Sequence, residues 1–582
     1  MTKSAALLLI SALFLGACDS RTGEQQAETT HKFADLVLAN GDIYTGDETN
    51  PRATHLALAD GVILAVGDAE SVAPYVDEET ERLNLSGQFV IPGIIDGHAH
   101  PAWGGLISNY YCLFDATALP NEIQEKIRSC VAQAPESETW IQGGLWLATF
   151  FDQYQIDSPR DWLDELSGDK AIALRDDSGH NYWVNSRALE LLEITESSQP
   201  PKGGVFGRDS SGRLDGVLYE SFGYLAGRLP PWTVTHYETG ARYAMENAHQ
   251  YGVTGWKDAS ATEEETAAYF NLDKTGELKV RVATSLYAAS EGLAEIDIAA
   301  YERMRAQYRS TNVLTDFVKI FLDGIPTTSR TAAMVAPYVV EEGEEEDFGP
   351  LHVAPSDLAR AVTELDALGF TVKIHTAGDR SVHEGLNAIA VARDANGMSE
   401  RRHELAHAGF IVEQDIPRFR ELNVVADLSP HLWFPSPIII SVREALGQRG
   451  LRYWPNRDLI DAGAPLLLGS DWPSVARDMN PWIGLESLVT RKDPVGSFPG
   501  EGWRDQSITL EEGFAIMTLG GARALKVEHE AGTLVAGKSA DFAVLNHNIF
   551  EVEVSAVSET RAVATYFRGE LVYGNLLGET DD

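Results

Sequence analysis

Two histidines separated by one residue are the first chemical feature of this chain, His98 and His100 in the segment VIPGIIDGHAHP. Because side chains alternate between the two faces of a β-strand, both imidazoles project to the same side of an extended segment. Two neutral imidazoles that converge in this way suit zinc or a similar divalent ion. The spacing therefore predicts a metal site, although the pair alone is a weak signal because it often occurs by chance.

Apolar segments that read as β-strands position these histidines and further polar residues. The eight strand candidates end at His100, Ser260, Tyr287, Asp323, His375, His407, Ser429 and Asp471. Helical patterns such as LARAVTELDAL lie between them. Eight strands that alternate with helices predict an α/β fold, the closed (β/α)8 barrel, whose active site lies at the carboxyl ends of the strands. For His375 or His407 taken alone, a hydrogen-bonded structural histidine is the alternative.

The segments on either side of the barrel have a different pattern. Residues 33–90 and 526–578 contain short alternating strands, which predict one small β-sandwich built from both termini. The barrel is predicted over residues 91–525. Within it, residues from about 106 to 235 do not follow the strand–helix alternation and are interpreted as an insertion after the first barrel strand, with its own strand AIALRDD.

The amino terminus has the pattern of a bacterial export signal. Lys3 precedes the apolar run AALLLISALFLGA, and LGAC, ending at Cys18, resembles a lipobox. Residues 1–18 are therefore predicted to be a lipoprotein signal peptide, Cys18 the lipidated residue and residues 19–32 a flexible tether. An ordinary signal peptide with a coincidental cysteine is the alternative. Asp19 resembles an inner-membrane retention signal, so the expected location is the periplasmic side of the inner membrane of a Gram-negative bacterium.

Export would leave Cys112 and Cys130 as the remaining cysteines in an oxidising compartment. A disulfide between them is one hypothesis, and two separately buried thiols are the other.

The net charge and the lack of nucleotide-binding motifs argue against several classes of partner and reaction. The chain has 46 basic and 87 acidic residues, a net charge of −41, which repels nucleic acid and anionic lipid. No phosphate-binding loop or dinucleotide fingerprint is present, so neither nucleotide hydrolysis nor hydride transfer is indicated. The expected partner is a small-molecule substrate, and membrane contact is expected only through the lipid anchor.

Several motifs in order point to one family. After VIPGIIDGHAHP come QGGLW (142–146), SGHNYWVNSRAL (178–189), VKIFLDG (318–324), IHTAGDRSV (374–382), HELAHAGFIVEQDIPRF (403–419) and GSDWP (469–473), and the chain closes with AGTLVAGKSADFAVL. In these motifs the sequence resembles the amidohydrolase superfamily, and more closely its family 3, the YtcJ-like metal-dependent hydrolases. The resemblance extends from about Ala34 to Gly574.

This resemblance implies a complete set of metal ligands: His98, His100, Lys319, His375, His407 and Asp471. The implied cofactor is a divalent metal, zinc above all, as one or two ions. Metal coordination lowers the pKa of bound water toward about 7, and the resulting hydroxide would attack a carbonyl. Asp471 would accept the proton from that water and pass it to the departing nitrogen, as the catalytic acid–base.

Lys319 needs separate chemistry, since an ammonium has no lone pair for a metal. A buried lysine beside positive charge has a depressed pKa, and its neutral amine can react with carbon dioxide. The resulting carbamate could bridge two metals. A lysine paired with Asp316 or Asp323 is the alternative.

The motif match implies a substrate contact over the barrel mouth for His180, and Trp146 is interpreted as an aromatic wall of the site. Core packing within the insertion is the alternative for both.

The predicted function is hydrolysis of non-peptide carbon–nitrogen bonds, in N-acyl or N-formyl amines or cyclic amides. An ester or lactone hydrolase on the same scaffold, and a non-catalytic solute-binding lipoprotein, are the alternatives.

Overall fold

A computed structural model describes residues 32–576, except 116–117, 147–149, 177–180, 202–203, 220, 222–223, 226, 289–295, 328, 341, 433 and 475. The predicted signal peptide, Cys18, and the tether up to residue 31 lie outside these residues, as does His180. Among the helices that are described, none combines the length and the apolar character needed to cross a membrane.

Strands from both ends of the chain form the small β-module. In chain order they are β1 Leu36–Ala39, β2 Asp42–Tyr44, β3 Arg52–Ala53, β4 His55–Ala59, β5 Val62–Gly67, β6 Glu81–Asn84, β7 Phe89–Pro92, β22 Phe542–Leu545, β23 Ala562–Phe567 and β24 Glu570–Gly574. One sheet has the order β5-β4-β1-β6 and the other β24-β23-β22-β7-β2-β3. Leu38, Val90 and Phe542 meet in one buried cluster, so residues from the two termini share a core, as predicted.

The barrel consists of eight parallel strands in sequence order. They are β8 Ile94–Ala99, β15 Val253–Ala261, β16 Arg281–Tyr287, β17 Val313–Phe321, β18 Thr371–Thr376, β19 His403–His407, β20 Val424–Leu428 and β21 Leu466–Leu468. The first and last strands meet just beyond β21, where the Asp471 amide donates to the His98 carbonyl at 2.7 Å and the His100 amide donates to the Trp472 carbonyl at 2.8 Å. The predicted barrel, with its sandwich and insertion, is confirmed.

Helices connect and surround the barrel strands. They are α2 Pro101–Tyr110 and, beyond the insertion, α7 Val234–His249, α8 Glu263–Lys274, α9 Ile298–Tyr308, α10 Pro355–Ala367, α11 Asp379–Asn396, α12 Ile416–Glu421, α13 Pro437–Leu446, α14 Asn456–Asp461, α15 Pro481–Thr490, α16 Leu510–Ala515 and α17 Gly521–Leu525, whereas α1 Ala69–Val72 belongs to the β-module. In α11 the apolar residues Val382, Leu386 and Ile389 recur at helical spacing and are fully buried. This face of α11 belongs to the hydrophobic core around the barrel sheet.

The insertion follows α2 directly and has its own sheet. Its helices are α3 Pro120–Gln133, α4 Phe150–Tyr154, α5 Pro159–Ser167 and α6 Ser186–Leu191, and its strands are β9 Tyr111–Leu113, β10 Trp140–Trp146, β11 Ala171–Asp176, β12 Tyr182–Val184, β13 Val205–Arg208 and β14 Leu214–Tyr219. The sheet order is β13-β14-β12-β11-β10-β9. Of these strands, the sequence predicts only β11. A disulfide joins Cys112 of β9 to Cys130 of α3, with the two Cα atoms 5.7 Å apart.

Candidate metal centre

The structure brings the six predicted metal ligands together. His98, His100, Lys319, His375, His407 and Asp471 all line one cavity of about 370 Å³ at the carboxyl ends of the barrel strands. The convergence follows from the barrel, since residues far apart in sequence share this face only when the strands lie parallel around one axis.

Three of these residues form a compact group. The Nε2 atoms of His98 and His100 lie 3.5 and 3.4 Å from Oδ1 of Asp471. Their potential ligand atoms all lie within 4.8 Å of one another. Two imidazoles and a carboxylate at this separation form a donor set that one divalent ion can join.

A pair of histidines adjoins this group. The ring centroids of His375 and His407 are 4.7 Å apart, and those of His98 and His407 are 4.8 Å apart. The Nε2 atom of His375 lies 3.0 Å from the Gly324 carbonyl oxygen. His407 and Asp471 both have positive φ, 72° and 55°, a conformation that is unfavourable for such residues and clusters at functional sites.

The seventh barrel strand and the residue following it orient two of the histidines. The Nδ1 atom of His98 lies 2.5 Å from Oδ2 of Asp427, and that of His407 lies 3.0 Å from Oγ of Ser429. A histidine ligand commonly donates its second ring nitrogen to such a partner, which fixes the tautomer and the ring orientation. Asp427 and Ser429 are not among the residues predicted from the sequence. Their signal is the alternation in VVADLS, which places Asp427 and Ser429 on one face.

A buried ionic network continues beneath His98. The Lys373 ammonium lies 2.5 Å from Asp427 and 2.9 Å from Glu404, and Glu404 also pairs with Lys257. All four side chains are fully buried. Each carboxylate therefore has a cationic partner, which offsets the cost of burying the charges.

Electrostatics favours neutral imidazoles at this site. Burial lowers the pKa of His98 and of His407 well below the usual value, and it lowers the pKa of His375 to about 4. Burial alone would raise the pKa of Asp471, but its hydrogen bond with His100 and the adjacent imidazoles hold that pKa below its usual range. Lone pairs on the imidazoles and an ionised carboxylate are the states that bind zinc.

Lys319 is enclosed with these groups. Its side chain is 1% exposed, and its Nζ lies 4.9 Å from the centre of the Phe321 ring. Burial and the nearby Lys373 lower the pKa of Lys319 to about 7. The carboxylates considered as alternative partners are engaged elsewhere: Asp316 pairs with Arg309, and Asp323 accepts hydrogen bonds from Ala333, Ala377, Gly378 and Ser381.

Trp146 differs from its predicted role as a wall of the site. It is fully buried in the core of the insertion, where its ring lies 4.9 Å from that of Phe151 and its Nε1 donates to the Leu174 carbonyl at 3.1 Å. It does not line the cavity because the pattern of β10 turns its side chain into the insertion's own hydrophobic cluster. The other predicted substrate contact, His180, lies outside the described residues.

Comparison with known proteins identifies a family model, related sequences and solved structures that are similar to this chain. The Amidohydro_3 family model, described as "Amidohydrolase family", matches residues 81–573. The chain is 26% identical to "Putative amidohydrolase YtcJ" of Bacillus subtilis, with 92% of this chain and 99% of that protein aligned. It is also 26% identical to "N-substituted formamide deformylase" of Arthrobacter pascens, with 93% and 98% aligned. An uncharacterized metal-dependent hydrolase of Pyrococcus horikoshii has the same fold, with a TM-score of 0.72, 22% identity, and 89% and 99% covered.

Proposed function

Because the chain belongs to the amidohydrolase family, we propose that this metal-dependent hydrolase cleaves non-peptide carbon–nitrogen bonds in N-acyl or N-formyl amines or in cyclic amides. The observation that carries the proposal is the group of His98, His100 and Asp471, whose ligand atoms lie within 4.8 Å of one another in the cavity. The relative named N-substituted formamide deformylase supports this reaction class.

The candidate residues have three roles: binding the metal, transferring the proton and orienting the histidine rings. His98, His100, His375, His407 and Asp471 would hold the metal, for which zinc suits the imidazole and carboxylate donors. A bound divalent ion would supply Lewis-acid polarisation of the substrate carbonyl. The Asp471 carboxylate accepts a proton from the attacking water and then delivers it to the departing nitrogen. Asp427 and Ser429 keep the His98 and His407 rings aimed at the cavity.

Lys319 is proposed to carry a carbamate, whose anionic oxygens would serve as additional ligands if two divalent ions were bound. Its neutral amine attacks carbon dioxide: a nitrogen–carbon bond forms as one carbon–oxygen π bond breaks, and the amine proton passes to solvent water, which leaves an anionic carbamate. Its burial, its pKa of about 7 and the prior engagement of Asp316 and Asp323 support this assignment. Lys319→Ala is expected to lose activity that short-chain carboxylic acids partly restore. A high-resolution map with a bare ammonium paired to a carboxylate would contradict it and favour a single metal.

The reaction class is tested with matched substrate pairs. Metal-loaded protein is assayed on N-formyl and N-acetyl amines, on cyclic amides and on the ester or lactone matched to each amide, together with elemental analysis. The proposal expects metal-dependent turnover of the amides, whose carbonyl is less electrophilic and whose leaving group is poorer than those of the matched esters. Turnover confined to the esters would favour the ester hydrolase, and no turnover at full metal occupancy would favour a binding protein.

The cellular location is proposed from the sequence pattern at Cys18. Lipid on Cys18 would hold the enzyme at the periplasmic face of the inner membrane, and a fourteen-residue tether would reach roughly 20 Å. Stable attachment requires more than one acyl chain, which the lipoprotein pathway that LGAC resembles supplies. Cys18→Ser should move the protein to the soluble fraction. A wild-type protein already soluble, or a variant that stays with the membrane, would refute the anchor.

A further inference from the structure

The walls of the cavity above the metal-ligand candidates are apolar. Much of the lining is aromatic or branched aliphatic, and includes Phe321, Phe410, Leu432, Ile439, Val442 and Trp454. With a volume of about 370 Å³ the cavity lies at the small end of ligand sites.

Helix α13 supplies one wall. Ile438 and Val442 are four residues apart and therefore lie on one face, and both line the cavity together with Ile439. Ile440 points away from it and is 56% exposed. The helix thus presents a continuous apolar surface to whatever occupies the cavity.

Trp454 supplies a second part of the wall, and a hydrogen bond holds its indole in place. The Nε1 of Trp454 donates to the His407 carbonyl at 2.6 Å, which ties the indole to the strand that carries a candidate ligand. Gly409 lies against the indole, since a Cβ there would be 3.4 Å from a ring carbon. A flat aromatic surface therefore stands beside the candidate metal centre.

No charged group in the described lining is available to a substrate substituent. Apart from the histidines, the only charged side chains are Lys319 and Asp471, and both belong to the metal-ligand set. The other polar side chains in the described lining are the hydroxyls of Thr327, Tyr453 and Ser474. An ionised carboxylate or ammonium on the substituent would meet no available charged partner among these residues, which disfavours its binding.

We infer that the cavity takes an uncharged amide that carries an aromatic or branched aliphatic group, and that it rejects amides whose substituent is ionised. The group packs between α13 and Trp454 while the amide carbonyl lies at the metal-ligand candidates. This inference rests on the proposed hydrolysis of amides and names the substrate class of that site.

The test uses three amides that differ at one position: an N-acyl phenethylamine, its para-carboxy analogue and its para-aminomethyl analogue. The neutral compound is expected to have a kcat/KM roughly 100-fold above both charged ones. The net charge of −41 acts at long range and would favour the cation over the anion. Rates are therefore also measured in 1 M salt, where the Debye length is about 3 Å. Equal rates for a charged and the neutral compound in 1 M salt would overturn the inference.

Two variants of α13 provide a matched pair. Ile438→Lys adds a cation to the cavity wall, whereas Ile440→Lys adds the same cation to the exposed face of the same helix. Ile438→Lys should raise the kcat/KM of the para-carboxy compound relative to the neutral one about tenfold, and Ile440→Lys should leave this ratio unchanged. An equal change in both variants would show that the wall does not contact the substituent.

A separate binding measurement distinguishes this inference from the proposed function. If none of the three amides is hydrolysed, the proposed function fails for this class, and calorimetry with the same compounds still tests the cavity. Tighter binding of the neutral amide supports the inference, and equal binding of all three overturns it.

Discussion

Asp427→Asn should weaken metal binding without any change to a metal ligand. The Asp427 carboxylate accepts from Nδ1 of His98 at 2.5 Å, which directs Nε2 of that ring toward Asp471. An asparagine cannot reproduce a charged acceptor that serves both His98 and Lys373. Loss of such a partner lowers metal affinity about 10–100-fold, which corresponds to about 1.4–2.8 kcal/mol.

The same substitution should also destabilise the fold, so a control is needed. Glu404→Gln removes one negative charge from the same buried network, where Glu404 pairs with Lys257 and Lys373 but contacts no candidate ligand. Breaking a buried ion pair costs about 3–5 kcal/mol, so both variants should unfold at lower urea concentration. Zinc affinity, measured by competition with a chelator, should fall in Asp427→Asn alone.

The visible spectrum of the cobalt-substituted protein gives a second measurement. It should change in Asp427→Asn because the His98 ring is no longer held, and it should stay unchanged in Glu404→Gln. Unchanged zinc affinity in Asp427→Asn, or an equal loss in both variants, would refute the positioning role of Asp427.

Three further changes have defined outcomes. Ser429→Ala removes a neutral hydrogen bond to His407 of about 1 kcal/mol and should lower zinc affinity about fivefold by chelator competition; no change would mean that this bond does not orient the ring. Burial lowers the pKa of His249 to about 4, so the unfolded state binds more protons below pH 6.5, and stability should fall by about 2 kcal/mol between pH 7.5 and 5. His249→Gln should remove that part of the loss in urea titrations at the two pH values, and an identical loss in the variant would contradict the assignment. Reduction of the bond between Cys112 and Cys130, which are 18 residues apart, should cost about 3 kcal/mol in the chain-entropy model. Calorimetric scans with and without reductant measure this, and thiol titration of the unfolded, unreduced protein should find neither sulfhydryl free.

The barrel could be predicted because its strands are apolar runs that end in polar residues. His375, His407 and Asp471 follow such runs, and parallel closure brings them to one face. The insertion was less predictable because its sheet mixes parallel and antiparallel pairs, so its strands do not follow the regular strand–helix alternation of the barrel.

Trp146 shows why residue type alone does not assign a role. The tryptophan of QGGLW can face a ligand or a core, and the neighbours that decide this, Phe151 and Leu174, come from other elements. The pairing of Asp427 with His98 could not be predicted from the sequence either, since it joins residues 329 positions apart. The apolar wall of α13 depends likewise on how the helix packs against the barrel.

The requirement of hydrolysis for a bound metal is tested by assaying a neutral N-acyl amine with metal-stripped and with reconstituted protein. Rate and metal content are measured on the same samples, for the wild type and for Asp471→Asn. We expect no turnover in stripped protein, recovery in proportion to bound metal, and a loss of rate in Asp471→Asn larger than its loss of metal. Full activity in thoroughly chelated, metal-free protein would contradict this expectation.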